Sequence, residues 1–193
     1  IFISTCSNYG IVKNKLADEN TKLLPKSHYA ESKVNIEKYI LNFKKKNFCP
    51  VILRFSTAFG YSPRMRYDLT INEFCRDIHK KKELVVYDPY TWRPYCHVKD
   101  FSRIVFKVLI SDNNIVRNQV FNVGSNQNNY RKIDLVNLLK KYKKNSKINI
   151  LKKKVDPRDY RENFNKLTRI LKIKPKFSVK YGIKEIFKKI KNN

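Results

Sequence analysis

Short apolar segments alternate with longer amphipathic ones along the chain, and this alternation constrains the fold more than any other feature. Apolar runs of four or five residues are typical of buried strands, whereas apolar residues three and four apart mark one face of a helix. The predicted strands are Ile1–Ser4, Val51–Phe55, Leu84–Tyr87 and Gln119–Val123. Strand, helix and strand at 1–4, 29–45 and 51–55 predict a βαβ crossover, and therefore a parallel sheet in an α/β fold.

Five segments carry the helical spacing of apolar residues. We expect the stripe of the first helix to face the sheet. The later part of the chain has longer loops and scattered prolines, which indicate a second, smaller lobe. The five stripes are Ile36/Tyr39/Ile40/Phe43, Ile71/Phe74/Cys75/Ile78, Phe101/Ile104/Val105/Val108, Leu135/Leu138/Leu139/Tyr142 and Ile183/Ile186/Phe187/Ile190.

The net charge of +27 raises the possibility of a nucleic-acid-binding module. Of the 43 basic residues 32 are lysines, and they are spread along the chain. We interpret them as solvated surface and expect no nucleic-acid partner, although a concentration of charge on one face would favour the alternative. The four cysteines form no Cys-x-x-Cys pair, so we expect no metal and a reducing, cytoplasmic location. No apolar run approaches the roughly 20 residues of a membrane span.

A tyrosine followed four residues later by a lysine is a candidate proton-transfer pair. Chance alone predicts about two such spacings, since the chain has 12 tyrosines and 32 lysines. Tyr29 and Lys33 have the best context, because they fall on one face of the first predicted helix. The alternative is that Lys33 simply reaches water. The three pairs are Tyr9/Lys13, Tyr29/Lys33 and Tyr95/Lys99.

The hydroxyl-rich segment from Ser4 to Gly10 follows the first predicted strand. Ligands of open α/β sheets bind beyond the carboxyl ends of the strands, so these hydroxyls are candidate ligand contacts. The alternative is an ordinary Ser/Thr-rich turn closed by Gly10.

The sequence Ser4-Thr5-x-x-x-Tyr9-Gly10, followed by Tyr29-x-x-x-Lys33 on the next helix, resembles the extended short-chain dehydrogenases/reductases of the NAD-dependent epimerase/dehydratase family. Four further segments match the family in order, and together the matches cover nearly the whole chain. These segments are Leu53–Gly60, Tyr61–Arg66, Trp92–Asp100 and Phe121–Gly124.

The resemblance implies a Rossmann-type parallel sheet domain with a smaller α/β substrate-binding lobe. Residues 1–60, rejoined by about 96–124, would belong to the NAD(P)-binding domain, and 61–95 with 125–193 to the lobe. The family's glycine-rich, phosphate-cradling turn is not found in this sequence. We therefore expect the chain to be the C-terminal two-thirds of an enzyme, inactive when alone.

By the same resemblance, Thr5, Tyr29 and Lys33 are the catalytic set, and Ser4, Tyr29 and Lys33 contact NAD or NADP. An ammonium beside a phenol favours the phenolate, the form that accepts a proton. Nucleotide-sugar substrate would contact Thr57, Arg93 and Arg158, the arginines because guanidinium groups suit diphosphate oxygens. A surface salt bridge is the alternative for each arginine. Arg64 and Arg66 could line the same cleft, and His97 is expected to be structural.

Cys6 and Ser7 stand where dehydrating members of the family generally carry an acidic pair. The resemblance therefore favours a nucleotide-sugar epimerase, with an NADP-dependent keto-sugar reductase as the alternative. A dehydratase also remains an alternative, since Cys6 could still ionise. The family also implies a possible homodimer through the helix at 29–45.

Overall fold

A computed structural model describes residues 1–43, 45–143, 145–151 and 156–190, which form ten strands and seven α-helices. The strands are β1 (Phe2–Thr5), β2 (Ile11–Ala17), β3 (Val51–Phe55), β4 (Thr57–Phe59), β5 (Leu84–Tyr87), β6 (Trp92–His97), β7 (Gln119–Val123), β8 (Asn129–Arg131), β9 (Ile148–Leu151) and β10 (Asp159–Glu162). The helices are α1 (His28–Asn42), α2 (Thr70–His79), α3 (Val98–Leu109), α4 (Asn113–Val116), α5 (Lys132–Lys140), α6 (Asn165–Leu171) and α7 (Val179–Ile190).

A three-stranded parallel sheet in the order β1-β3-β7 is the centre of the fold. Its middle strand is buried on both faces, which is why Val51–Phe55 reads as an unbroken apolar run around one arginine. Strands β3, β5 and β7 have the predicted bounds, whereas β1 begins one residue later and ends at Thr5. The predicted parallel α/β fold is confirmed.

Two apolar clusters hold the helices in place. The first joins the parallel sheet to α3 and α6, with Ile104, Val108, Phe121, Leu167 and Leu171 at its centre. The second lies among α2, α5, α7 and strands β4, β5 and β6. The stripes predicted for α2, α3 and α7 contribute buried residues to these clusters.

The stripe predicted for α5 is correct in part. Leu135 and Leu139 are buried, but the helix ends at Lys140 and Tyr142 is 43% exposed.

The face of α1 that packs on the sheet differs from the predicted one. Ala30, Val34 and Glu37 are buried, whereas Ile36, Tyr39 and Phe43 are 42%, 68% and 38% exposed. The prediction was wrong because it counted apolar residues, while the buried face is built from small residues and one paired glutamate. The helix ends at Asn42, short of the predicted position 45, and residue 44 lies outside the described part of the chain.

A buried ion pair replaces the missing apolar contacts beneath α1. Arg54 of β3 donates to both carboxylate oxygens of Glu37, to Oε2 from Nη2 at 2.7 Å and to Oε1 from Nε at 3.2 Å. The same carboxylate accepts from Ser4 Oγ and, at 2.9 Å, from Asn8 Nδ2. Arg54 Nη1 also donates to Tyr9 Oη at 3.0 Å. The pair therefore ties α1, β3 and the turn after β1 together.

Strands β2 and β10 pair in parallel outside the central sheet, and neither was predicted from the sequence. Polar residues interrupt both strands, so they lack the continuous apolar run on which the strand prediction relied. Their pairing brings residues near 160 to the turn after β1. No helix in the described residues is long and apolar enough to cross a membrane.

We predict that Glu37→Ala destabilises the natural gene product that contains this chain by about 3–5 kcal/mol. The change leaves the Arg54 guanidinium buried without its counter-ion, and an unpaired buried charge is costly. The free energy of unfolding in urea would measure the effect. Glu31→Ala, at an exposed position on the same helix, is the control and should change stability by less than about 0.5 kcal/mol. An equal, small effect of both changes would contradict the prediction.

Candidate active site

A cleft of about 500 Å³ opens at the carboxyl ends of β1 and β3. This is the edge where parallel strands expose their last residues and the turns that follow them. Six of the seven predicted site residues line the cleft, although they come from five separate parts of the chain. They are Ser4, Thr5, Tyr29, Thr57, Arg93 and Arg158.

The end of β1 presents Thr5 to the cleft in a fixed orientation. Thr5 caps the 3-10 turn that follows, because its Oγ1 accepts from the backbone of Ser7 at 3.2 Å. Its hydroxyl also lies 2.8 Å from Ser7 Oγ. The Ser4 hydroxyl instead donates to Glu37 and accepts from Asn8 at 3.2 Å. Thr5 therefore keeps its hydroxyl at the cleft, while the Ser4 hydroxyl is used in the buried network.

Tyr29 and Lys33 lie at the start of α1, one turn apart. Tyr29 is 57% exposed, and Ser27 caps the helix just before it. Lys33 Nζ donates to the carbonyl of Ile3 at 2.9 Å and lies 5.7 Å from the centre of the Tyr29 ring. The ammonium group is therefore bound to β1 beside the tyrosine. Lys33 itself does not line the cleft, but its partners Ile3 and Tyr29 do.

Arg93 and Arg158 converge on one carboxylate inside the cleft. Arg158 donates twice to Asp156, at 2.9 Å from Nε and 2.7 Å from Nη2, and once to Ser7 Oγ at 3.2 Å. Arg93 is buried, and its Nη2 lies 2.9 Å from Asp156 Oδ2. Burial opposes ionisation of Asp156, yet the hydrogen bonds from Arg158 and the charge of Arg93 hold the pKa of its carboxyl well below the usual range.

The lining of the cleft carries more positive than negative charge. Four cationic side chains line it against two carboxylates: Arg66, Arg93, Lys132 and Arg158, and Asp68 and Asp156. Arg66 pairs with Asp68 at 2.6 Å at the exposed rim. Burial and the charge of Arg93 lower the pKa of Lys132, whose ammonium donates to the carbonyl of Tyr87 at 2.9 Å. A cleft with this excess of cations suits an anionic ligand. Arg64, by contrast, is exposed and lies outside the cleft lining.

Behind the floor of the cleft lies a set of buried polar groups that the sequence did not reveal. Cys6 Sγ lies 3.2 Å from Tyr160 Oη, and Ser56 Oγ donates to Glu162 Oε2 at 3.2 Å. Burial raises the pKa of the Cys6 thiol well above its usual value, so Cys6 is a neutral thiol. The alternation of side chains along β10 places Tyr160 and Glu162 on the same face.

His97 lies outside the cleft, in the second apolar cluster. Its ring is fully buried, with Nε2 2.9 Å from Glu185 and Nδ1 accepting from the backbone of Lys99 at 3.2 Å. Burial lowers the pKa of this histidine. Among the described residues no group of three His, Cys, Asp or Glu side chains could hold a metal ion.

Asp156, Lys132, Ser56 and Glu162 are the site residues that sequence reasoning missed. The one usable signal was the spacing of Asp156 and Arg158, two residues apart after a lysine run. The alternative interpretation of Arg93 and Arg158 as salt-bridged residues is correct in so far as both pair with Asp156. These three paired residues lie in the cleft, however, and not on the outer surface.

Residues 1–124 match the model of the NAD dependent epimerase/dehydratase family. The chain belongs to this family. The match confirms the resemblance that the Thr5, Tyr29 and Phe121–Gly124 segments indicated.

Known relatives of the chain act on nucleotide sugars. An uncharacterised UDP-glucose epimerase from Bacillus subtilis is 33% identical over 56% of this chain and 34% of its own length. The UDP-glucuronic acid 4-epimerase of Bacillus cereus, solved with UDP-glucuronic acid and NAD, is 26% identical with a TM-score of 0.86. The dTDP-glucose 4,6-dehydratase of Bacillus anthracis, solved with NAD, is 26% identical with a TM-score of 0.81.

The two solved relatives contain the fold described above almost in full. The epimerase covers 98% of this chain and the dehydratase 99%. The chain in turn spans 60% and 61% of their lengths, and about a third of the Bacillus subtilis relative.

Proposed function

We propose that this chain carries the catalytic set and the sugar-nucleotide site of an NAD-dependent nucleotide-sugar epimerase. One observation supports this most directly. A single cationic cleft at the carboxyl ends of β1 and β3 is lined by Thr5, Tyr29 and the paired arginines Arg93 and Arg158. Hydroxyl, phenol and guanidinium groups in one cleft are the chemistry that a diphosphate-linked sugar requires.

Bound NAD would supply the acceptor and donor of a hydride at one sugar carbon. In this proposal Tyr29 moves the matching proton, with its phenol exposed at the rim of the cleft. Lys33 provides the adjacent positive charge, with its Nζ 5.7 Å from the centre of the Tyr29 ring. Its ammonium has three hydrogens and uses one on Ile3, so others are free to contact a cofactor hydroxyl. Thr5 orients the reacting hydroxyl or carbonyl of the sugar.

The residues fit a dinucleotide beside the carboxyl end of β1. Lys33 Nζ donates to the carbonyl of Ile3 and lies 5.7 Å from the centre of the Tyr29 ring, so both side chains lie next to this strand. Ser4 lies beside them in the cleft wall. We propose that these three residues make the cofactor contacts within this chain. We propose NAD as the cofactor in preference to NADP, because two solved relatives, each 26% identical to this chain, contain NAD.

Thr57, Arg93 and Arg158 are proposed to bind the nucleotide sugar. Arg158 and Arg93 present guanidinium groups held in place by Asp156, and a held guanidinium loses little freedom when it binds phosphate. Thr57 lies in the same cleft at the start of β4. We propose no nucleic-acid partner, since Arg93, Lys132 and Arg158 share their cleft with carboxylates.

An epimerase is favoured over a dehydratase because the described residues that line the cleft include no unpaired carboxylate. Both lining carboxylates, Asp68 and Asp156, are bonded to arginines. Cys6 is a neutral thiol, and Ser7 is a hydroxyl. The likeness to a 4,6-dehydratase keeps elimination as the second candidate, and a keto-sugar reductase is the third. We also propose a reducing, cytoplasmic location, because all four cysteines are free.

We propose the domain boundaries given by the family resemblance, with one addition. Residues 1–60 and about 96–124 form the cofactor domain, and 61–95 with 125–193 the substrate lobe. The addition is α6, whose Leu167 and Leu171 pack in the apolar cluster around the parallel sheet. This helix would anchor the substrate lobe to the cofactor domain.

We predict that the natural gene product is a homodimer through the exposed face of α1. Ile36, Tyr39 and Phe43 expose apolar surface there, and Phe43 packs edge-on against Phe48 at 5.4 Å. Sedimentation equilibrium should give a dimer for the unmutated natural gene product, here called the parent protein, and a monomer for its Ile36→Glu variant. Phe106→Glu, at an exposed apolar position on α3, is the control and should remain dimeric. A monomeric parent protein would exclude this interface.

We predict that Tyr29→Phe lowers turnover of a nucleotide sugar by about 10²–10⁴-fold, the usual contribution of a general acid–base group. The assay would use UDP-, GDP-, CDP- and dTDP-sugars with the natural gene product and NAD. An epimerase consumes no net cofactor, whereas a reductase consumes NADPH in proportion to product. Tyr90→Phe, at an exposed tyrosine outside the cleft, is the control. Full activity of Tyr29→Phe would overturn the catalytic assignment.

We predict that Arg158→Ala weakens binding of UDP by about 10–100-fold, since a hydrogen bond between charged groups contributes about 1.5–3 kcal/mol. Isothermal titration calorimetry with UDP would measure the dissociation constant. Arg64→Ala, at an exposed arginine of a nearby loop, should bind as the parent protein does. Unchanged binding by a folded Arg158→Ala protein would remove Arg158 from the substrate site.

A further inference from the structure

A series of hydrogen bonds joins Arg158 to the Thr5 hydroxyl through Ser7, a residue to which the proposed mechanism gives no role. Arg158 Nη1 donates to Ser7 Oγ at 3.2 Å, and Ser7 Oγ lies 2.8 Å from Thr5 Oγ1. Thr5 and Ser7 are 8% and 6% exposed, and all three residues line the cleft. The Arg158–Ser7–Thr5 series therefore connects the proposed phosphate site to the proposed catalytic hydroxyl.

The direction of the hydrogen bonds at Ser7 follows from the chemistry of its neighbours. A guanidinium group has no acceptor atom, so Arg158 is the donor and Ser7 Oγ the acceptor. The Ser7 hydroxyl still has its own hydrogen, and within the part of the chain that the structure describes Thr5 Oγ1 is the acceptor in reach. Since a buried donor without an acceptor is costly, the Ser7 hydrogen points to Thr5.

The direction of the hydrogen bonds at Thr5 follows in turn. Its Oγ1 accepts from the Ser7 hydroxyl and, at 3.2 Å, from the Ser7 backbone amide. A hydroxyl oxygen has two lone pairs, and these two bonds use both. What Thr5 retains for a ligand is its own hydrogen, which needs an acceptor in the cleft. Thr5 therefore contacts a ligand as a hydrogen-bond donor.

We propose that Ser7 is a positioning residue that holds the Thr5 hydroxyl as a donor to the reacting oxygen of the sugar. This inference rests on the proposed function. A fixed donor at that oxygen stabilises the negative charge that develops on it during the reaction. The charge of Arg158 polarises the Ser7 hydroxyl, and the polarised Ser7 makes Thr5 a stronger donor in turn.

A fixed direction at Thr5 also assigns the proton of the sugar hydroxyl. The sugar carbon loses a hydride to bound NAD, and its oxygen loses a proton, which leaves a carbonyl group. Because Thr5 donates to this oxygen, it cannot also take the proton, so the proton goes to Tyr29. The carbonyl oxygen then keeps its hydrogen bond from Thr5 until the hydride and the proton return.

Arg158 can bind phosphate without giving up its bond to Ser7. It is held on Asp156 by Nε and Nη2, and it reaches Ser7 with Nη1. Each terminal nitrogen of a guanidinium group carries a second hydrogen, which can contact a phosphate oxygen. Conversely, loss of the Ser7 hydroxyl leaves both bonds to Asp156 in place. The effect of Ser7 on catalysis can therefore be measured separately from phosphate binding.

The test is a double-mutant cycle in the natural gene product, with NAD and a nucleotide sugar that the parent protein turns over. Ser7→Ala should lower kcat about tenfold, the effect of losing one hydrogen bond in the transition state. It should leave the dissociation constant for UDP unchanged. In a Thr5→Ala background Ser7→Ala should lower kcat no further, because Ser7 acts through Thr5. Ser102→Ala, at an exposed serine of α3, is the control and should keep the kcat of the parent.

Two results would overturn this role of Ser7. One is a Ser7→Ala protein with the kcat of the parent. The other is the same fall in kcat in the parent and in the Thr5→Ala background, since independent effects would mean that Ser7 does not act through Thr5.

Failure of the proposed function would be seen separately. If the parent protein turns over no nucleotide sugar, the proposed function fails, and the same cycle measured on Tm tests whether Ser7 holds Thr5. The loss of Tm in the double variant should then be smaller than the sum of the two single losses, because each hydroxyl is the partner of the other. Additive losses would overturn the Arg158–Ser7–Thr5 series.

Discussion

The ion pair between Glu37 and Arg54 is the interaction on which the position of every other site element depends. It is buried beneath α1, at side-chain exposures of 2% and 6%, and it reaches the turn after β1 through Ser4, Asn8 and Tyr9. A buried ion pair adds little net stability compared with apolar residues in its place, but its hydrogen bonds require one particular arrangement of the two side chains. Here it sets the rotation of α1 against the sheet, and this rotation puts Tyr29 and Lys33 at the end of β1.

The sequence predicted those parts of the structure in which the buried residues are apolar. Strands β3 and β7 were found with their bounds because most of their residues are apolar, and the stripe of α2 was found because all four of its residues are buried. The same logic failed for α1. Its buried residue Glu37 is polar, and a hydrophobicity pattern assigns such a residue to the surface. The arginine that neutralises it, Arg54, lies 17 residues further on, in β3.

The sequence identified several residues of the candidate site but not the charge interactions between them. Family motifs located Thr5, Tyr29, Arg93 and Arg158, because motif residues keep their spacing along the chain. Asp156 and Glu162 follow no such spacing, and their roles arise from contacts with distant residues. Glu162 meets Ser56 across 106 positions, and Arg158 meets Ser7 across 151. Contacts between residues so far apart in the sequence form only when β2 and β10 pair.

The pairing of β2 with β10 also fixes the order in which the cleft can form. Thr5 and Tyr29 leave the ribosome long before β10 is made, at synthesis rates of about 5–20 residues per second. Until β10 docks, two residues of the turn after β1 lack a partner. Cys6 lacks its contact with Tyr160, and Ser7 lacks its hydrogen bond from Arg158. The pairing of β2 with β10 joins residues far apart in the sequence, and contacts of such separation form slowly. The full lining of the cleft therefore forms only after β10 has been made.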